Sequence, residues 1–152
     1  MKLIDAFKKE LIFLDFEAPG KVQSIVAMAS LIANTGCFEK KDQAVDVAQA
    51  LFERERLGST GFGKRIAIPH TRCHAVKDLV VAVFISRHGI DFESADCMPA
   101  NVFFTILVPY GSSHLKFLAT LSRMLREKKM IDRFVKATSQ DEVLDLIASF
   151  DR

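Results

Sequence analysis

Hydrophobic residues recur along this chain with two spacings, which together predict a layered α/β fold. Apolar residues three and four positions apart predict amphipathic helices, whereas near-continuous apolar runs predict strands that are covered on both faces. Helices are expected at 22–33, 44–56, 117–125, 131–135 and 143–147. Long buried strands are expected at 79–85 and 102–108, with shorter ones at 11–16, 66–68 and 90–92.

Turn and capping residues separate these segments. Pro19-Gly20 breaks the chain before the first helix, and Gly36 follows that helix as a C-terminal glycine would. Ser112 or Ser113 can cap the third long helix, and Ser139-Gln140-Asp141-Glu142 forms a capping box. The predicted fold is therefore a single α/β domain over residues 1–152, a mixed sheet of about four or five strands flanked by helices.

Composition narrows the class of protein. A net charge of +2 is too small to suggest nucleic-acid binding. The chain contains no apolar run long enough to span a membrane, and residues 1–10 lack the apolar core of a signal peptide. Three scattered cysteines fit reduced thiols better than a disulfide framework, which predicts a cytoplasmic protein.

A glycine-rich segment leads into a short apolar strand and then a histidine. Residues 58–64 spell G-x-x-x-x-G-K, close to a nucleotide-binding P-loop. Arg65 stands where that motif needs Ser or Thr, a helix rather than a strand precedes it, and Pro69 prevents a long helix from following. The alternative is a tight connection into a strand that ends at Pro69 and presents His70, a layout suited to a histidine that handles phosphate.

The other histidines and the cysteines leave several interpretations open. His70 and His74 are four residues apart, but the segment has no helical period and no third ligand is evident, so we expect no metal. His114 falls in the first turn of a helix, where it is either an ordinary polar residue or a donor to a phosphoryl oxygen. Arg54 is either a cation favoured at a helix C-terminus or a phosphate ligand. The cysteines have no base partner close in sequence, so buried or incidental thiols are expected.

Several segments in combination resemble the type-2 enzyme IIA proteins of the bacterial phosphoenolpyruvate-dependent phosphotransferase system, the fructose, mannitol and nitrogen group. The matching segments are Arg54-Glu55, Gly58–Gly63, Ile66-Ala67-Ile68-Pro69-His70, Gly89–Phe92 and His114–Arg123. This resemblance covers nearly the whole chain. It implies an α/β phosphocarrier in which His70 is phosphorylated and in which His114 and Arg54 match the histidine and arginine beside it.

The resemblance also implies partners. The phosphoryl donor would be HPr or a nitrogen-type HPr, and the acceptor would be a IIB domain or a target regulated by phosphorylation. As a mechanism, His70 attacks as a neutral imidazole without metal or cofactor, and hydroxyl groups assist with phosphate binding. The candidate hydroxyl donors are Thr60, Ser112 and Ser113, and the candidate docking residues are Phe62, Lys64 and Arg65.

Two departures from the family pattern keep alternatives open. Lys64-Arg65 replaces small, polar or glycine residues, and Thr71 replaces glycine or alanine, and both changes flank the site where a partner would bind. A binding module of the same fold that no longer carries phosphate would explain Lys64-Arg65. A metal-dependent hydrolase using His70, His74 and an acidic residue distant in sequence is the other alternative.

Overall fold

Two long strands, β5 (Val80–Ile90) and β6 (Ala100–Pro109), run antiparallel through the centre of the sheet. The structure is a computed structural model that describes residues 2–151. β6 is almost entirely buried and β5 is buried from Val80 to Ser86, as their continuous apolar sequences predict, whereas Arg87 and His88 near the end of β5 are exposed. β5 extends to Ile90, so the short separate strand expected at 90–92 is absent within the described residues.

Four short strands complete a mixed six-stranded sheet. β1 (Ile12–Phe13) lies parallel to β5 and is shorter than the strand predicted at 11–16. β2 (Gly61–Gly63) pairs antiparallel with β3 (Ile66–Ala67). β3 and then β4 (His70–Cys73) follow the same edge of β6, both parallel to it.

The predicted α/β class is confirmed, and the sheet has six strands because Pro69 divides one edge into β3 and β4. Proline has no N–H to donate to a strand partner, so the ladder is interrupted there. The Pro69 carbonyl nevertheless accepts the Ile106 N–H at 2.9 Å, which keeps β4 aligned on β6.

Helices cover both faces of the sheet. Those on one face are α1 (Lys21–Ala33) and α2 (Ala44–Arg56). Those on the other are α3 (Leu115–Leu125), α4 (Met130–Lys136) and α5 (Gln140–Phe150). Alternation along each strand sends neighbouring side chains into opposite cores, so Phe103 packs under α1 and α2 while Phe104 packs under the other three. None of these helices is long and apolar enough to cross a membrane.

The helix ends follow the predicted capping signals in part. The Ser139 hydroxyl accepts the Glu142 N–H at 3.1 Å, as a capping box requires. α3 instead begins directly after His114, so neither Ser112 nor Ser113 is its N-cap residue. The two serines lie in the loop between β6 and α3, which places them on the approach to His114.

Candidate functional site

His70 is the first residue of β4, at the edge of the sheet, and its ring is oriented by the backbone beside it. Its Nδ1 lies 2.7 Å from the carbonyl oxygen of Ile68. A carbonyl can only accept, so Nδ1 carries the hydrogen and the neutral imidazole keeps its lone pair on Nε2. Pro69, between the two residues, has a restricted φ that helps to hold this geometry. The half-buried side chain therefore presents Nε2 as a nucleophile.

The register of β4 on β6 sets the face of the sheet toward which His70 projects. His70 pairs with Ile106 and Arg72 pairs with Val108, and both β6 residues belong to the core under α3. Residues in register on neighbouring strands project to the same face. The Arg72 Nη1 accordingly reaches the Ser112 carbonyl at 2.7 Å in the loop that leads to His114. β4 is thus bonded directly to the loop that carries the second histidine.

His114 occupies the N-cap position of α3 and is half-buried. Its side chain makes no capping hydrogen bond to the helix, so the position is not explained by capping. The first N–H groups of α3 begin beside it, and such groups favour an anion. Ser112 and Ser113 lie within two residues, so their predicted contribution to phosphate binding stays a prediction.

Arg54 approaches from the other helical layer. It lies in the last turn of α2, which packs against β4, and its Nη1 donates to the Gly58 carbonyl at 2.9 Å. This bond uses one of the five N–H donors of the guanidinium. Arg54 is therefore fixed to the loop that leads toward His70, with further donors that a phosphoryl group can use.

A buried ion pair that the sequence analysis missed lies behind this loop. The Glu55 side chain is 5% exposed and its Oε1 lies 2.8 Å from the Nζ of Lys21, itself 13% exposed. The same carboxylate accepts the Thr60 N–H at 3.0 Å and the Thr60 hydroxyl hydrogen. Because that hydrogen is donated to Glu55, we assign Thr60 to holding the loop rather than to binding phosphate. Glu55 follows Arg54 directly in the sequence, but nothing in the sequence pairs it with Lys21.

Backbone bonds continue from this ion pair to the histidine. The Thr60 carbonyl accepts the Ile68 N–H at 3.0 Å, and the Ile68 carbonyl is the acceptor for His70. Glu55, Thr60, Ile68 and His70 therefore form one connected series. Hydrogen bonds thus connect His70 to the buried ion pair of Lys21 and Glu55.

Three residues predicted to dock a partner lie on the β2–β3 hairpin, apart from the histidines. Phe62 is exposed on β2, and the two turn residues Lys64 and Arg65 have φ of 55° and 72°. The Arg65 Nη1 bonds Asp132 at 2.6 Å, and its carbonyl accepts from the backbone at the start of β6. Four residues, 66–69, separate the turn from His70, and an extended chain over these five steps spans roughly 17 Å. Their predicted docking role stays a prediction.

The two histidines that were weighed as metal ligands, His70 and His74, both make other contacts. Within residues 2–151 no three His, Cys, Asp or Glu side chains come together as a metal ion would require. His74, the proposed second ligand, stacks on Tyr110 with ring centroids 4.3 Å apart.

Comparisons with known proteins identify the family of this chain. Residues 5–150 match the family model for the phosphoenolpyruvate-dependent sugar phosphotransferase system, EIIA 2. The chain belongs to this family, whose members act as phosphocarriers or as phosphorylation-dependent regulators.

The similar proteins include sugar-specific EIIA proteins and a nitrogen regulatory protein. The fructose-specific EIIA component of Haloferax volcanii is 38% identical, over 91% of this chain and 90% of its own. The nitrogen regulatory protein IIA-Ntr of Neisseria meningitidis superposes with a TM-score of 0.82 at 28% identity, over 95% of this chain and 98% of its own. The Escherichia coli mannitol IIA, solved in complex with phosphorylated IIB, gives 0.78 at 27% identity, over 94% and 97% of the two chains.

Proposed function

We propose that this protein accepts a phosphoryl group on Nε2 of His70 from a phosphohistidine of an HPr-type protein. The observation that carries the proposal is the 2.7 Å contact between His70 Nδ1 and the Ile68 carbonyl. This contact selects the tautomer whose Nε2 lone pair is free, and it orients the imidazole ring before the phosphoryl donor binds. Since the ring is already oriented, less entropy has to be lost on reaching the transition state.

The reaction exchanges one P–N bond for another. The Nε2 lone pair of His70 attacks phosphorus as the bond from phosphorus to the donor imidazole breaks, and the donor leaves with that electron pair. No proton moves at Nε2, and the imidazolium formed on His70 keeps its Nδ1–H on the Ile68 carbonyl. The charge to be stabilised lies on the phosphoryl oxygens, so positioning and electrostatics supply the catalysis.

Arg54 and His114 reach these oxygens from opposite sides of the sheet edge. Arg54 is supplied by the α2 layer and His114 by the α3 layer, while His70 stands on the strand between them. The guanidinium neutralises charge, and the imidazole and the α3 N-terminus donate hydrogen bonds. Ser112 and Ser113 are further donors in the same loop.

A partner must cover this edge to exclude water during transfer. Three large apolar side chains on the flanking segments are exposed: Leu57 beside the Arg54 loop, Tyr110 after β6, and Leu115 after His114. We propose that these residues contact both the donor and the acceptor.

By analogy with the mannitol IIA complex, the acceptor is a IIB-type domain or, in a regulatory branch, a target protein. We place this chemistry in the cytoplasm, where free thiols such as Cys37 persist.

Intact-mass analysis tests the proposal. The protein is incubated with phosphoenolpyruvate, enzyme I and HPr-type donors, and we expect one acid-labile phosphoryl group, located on Nε2 of His70 by nitrogen–phosphorus NMR couplings. His70→Ala should gain no phosphoryl group, while His88→Ala, which alters an exposed histidine, should be phosphorylated like the wild type. Undiminished phosphorylation of His70→Ala would refute the assignment.

The supporting residues need a rate measurement instead. Arg54→Ala and His114→Ala should slow phosphorylation while the far-ultraviolet circular dichroism spectrum stays unchanged. Equal rates for the wild type and both variants would remove these residues from the mechanism.

A further inference from the structure

A second basic feature lies away from His70, where the β2–β3 turn meets the connection between α3 and α4. A cavity of about 190 Å³ opens there. Four cationic residues and three apolar ones line it, together with two acidic ones. They are Lys64, Arg65, Arg126 and Lys129; Ile66, Leu125 and Ile131; and Glu127 and Asp132.

The backbone at this cavity adopts a conformation that its residues disfavour. Five non-glycine residues among those described have positive φ, and three of them line this one cavity: Lys64, Arg65 and Lys129, at 55°, 72° and 67°. All three are cationic. The hairpin turn would accept Asn-Gly with less strain. Strain of this kind persists where the surrounding structure enforces it, and it clusters at functional sites.

Local bonds hold the backbone of this turn, because the Asp96 carboxylate accepts the Lys64 N–H at 2.8 Å. Within the described part of the chain, the side chains of Lys64 and Lys129 take no part in such bonds. Arg65 is held by Asp132 at 2.6 Å and by the Asn101 Oδ1 at 3.0 Å, which explains its fixed turn. Among residues 2–151, no carboxylate lies within ion-pair distance of Lys64 or Lys129. Both side chains are exposed. Four cations against two acids, one of them neutralised by Arg65, leave the cavity with a net positive charge.

The size and the lining of the cavity define a ligand class. A volume of about 190 Å³ corresponds to roughly six water molecules, enough for a phosphate group and a small organic part. Lysine and arginine are the side chains that bind phosphate in proteins. Ile66 and Leu125 are buried and Ile131 is half-buried, which gives the cavity an apolar wall.

We propose that this basic cavity binds a small phosphate-bearing anion at a site separate from the phosphorylation site. Lys64 and Lys129 contact the phosphate, Arg126 adds a third cation, and the apolar wall contacts an organic substituent. The site does not depend on phosphorylation of His70, so its test is independent of the proposed function.

The test is a nitrogen–proton NMR titration at constant ionic strength with two probes, inorganic phosphate and phenyl phosphate. Saturable shifts are expected in the amides of residues 64–66 and 126–132, and phenyl phosphate should bind more tightly because it also contacts the apolar wall. The same shifts should occur in His70→Ala. Tighter binding of the inorganic ion would refute the apolar contact and, with it, the ligand class proposed.

Matched charge variants identify the cations. Lys64→Gln with Lys129→Gln should weaken phenyl phosphate binding roughly tenfold or more, since both charge-assisted bonds are lost. Lys136→Gln removes an exposed lysine at the end of α4 that does not line the cavity, and it should bind like the wild type. Non-saturable shifts, shifts confined to residues around His70, or equal weakening by Lys136→Gln would each overturn the proposal.

Discussion

Glu55 holds Thr60 by two bonds, because one carboxylate oxygen accepts the backbone N–H at 3.0 Å and the other accepts the hydroxyl hydrogen. The same carboxylate neutralises the buried Lys21. Glu55→Gln should therefore lower the free energy of unfolding by about 3 kcal/mol, as expected when one partner of a buried ion pair is removed. Urea denaturation measures this loss.

Lys21 supplies the control for Glu55. Lys21→Met combined with Glu55→Gln removes both charges, so the double variant should be less destabilised than the sum of the two single variants. Additive losses would show that the two residues act separately. Thr60→Val should also loosen the loop, with little effect on the charge balance.

Arg72 connects β4 to the loop that carries His114 through its 2.7 Å bond to the Ser112 carbonyl. Arg72→Ala should slow phosphorylation of His70 between about 10- and 100-fold, because small misplacements of a reacting group cost that much. Arg72 is exposed, so the thermal midpoint should change little. Arg72→Lys should restore part of the rate, and an unchanged rate in Arg72→Ala would contradict the role.

Lys64 has a φ of 55° in the two-residue turn of the β2–β3 hairpin. Lys64→Asn should raise the free energy of unfolding by about 0.5–1 kcal/mol, because asparagine tolerates this conformation better. Lys128→Asn is the matched control at an exposed position without positive φ, and it should give no such gain. A similar gain in both variants would refute the strain argument.

Asp96 accepts the Lys64 N–H at 2.8 Å and the Met98 N–H at 3.0 Å. These bonds, that from Lys64 foremost, lower the pKa of Asp96 below its ordinary value of 3.8. The folded protein therefore binds this proton less readily than the unfolded chain, and the stabilisation is present above that value and lost as the pH falls through the folded pKa. Unfolding curves between pH 2 and 5 should be steeper in pH for the wild type than for Asp96→Asn, and identical slopes would contradict this.

Cys73 is buried on β4, and burial raises the pKa of its thiol. The thiolate is the form that alkylates, so Cys73 should react slowly with iodoacetamide at pH 8. The exposed Cys97 should react first, as peptide mass spectrometry can follow. Denaturation in urea should remove the difference, and equal rates in the native protein would contradict the burial argument.

The sequence predicts the parts of the fold that depend on local pattern. Helix periodicity, the Ser139 cap and the two apolar strands all rest on neighbouring residues, and the structure confirms them. The capping box is only half formed, because the Glu142 carboxylate accepts the Thr138 N–H instead of the Ser139 N–H. β2 and β4 are not recognisable in this way, because β2 is a glycine-rich hairpin strand and β4 is polar at its start.

The site shows the same division between local and long-range signals. The Pro69-His70 string predicts His70 as the nucleophile, and the start of a helix predicts His114 as a phosphate ligand, both of which stay predictions. The pairing of Lys21 with Glu55, and the bond from Arg72 to Ser112, join residues more than thirty positions apart. Such pairings depend on how α1, α2 and the sheet pack together, and no spacing in the sequence encodes them.

The position of His70, the proposed phosphoryl acceptor, on a strand also limits how its phosphorylation would alter the protein surface. β4 is held in register with β6 from His70 to Cys73, opposite Ile106 to Pro109. A phosphoryl group on His70 therefore adds negative charge at a fixed point on the sheet edge, while the backbone beneath it stays in place. A protein that distinguishes the two forms through this charge would respond to the electrostatic potential of the surface, and added salt would weaken that discrimination.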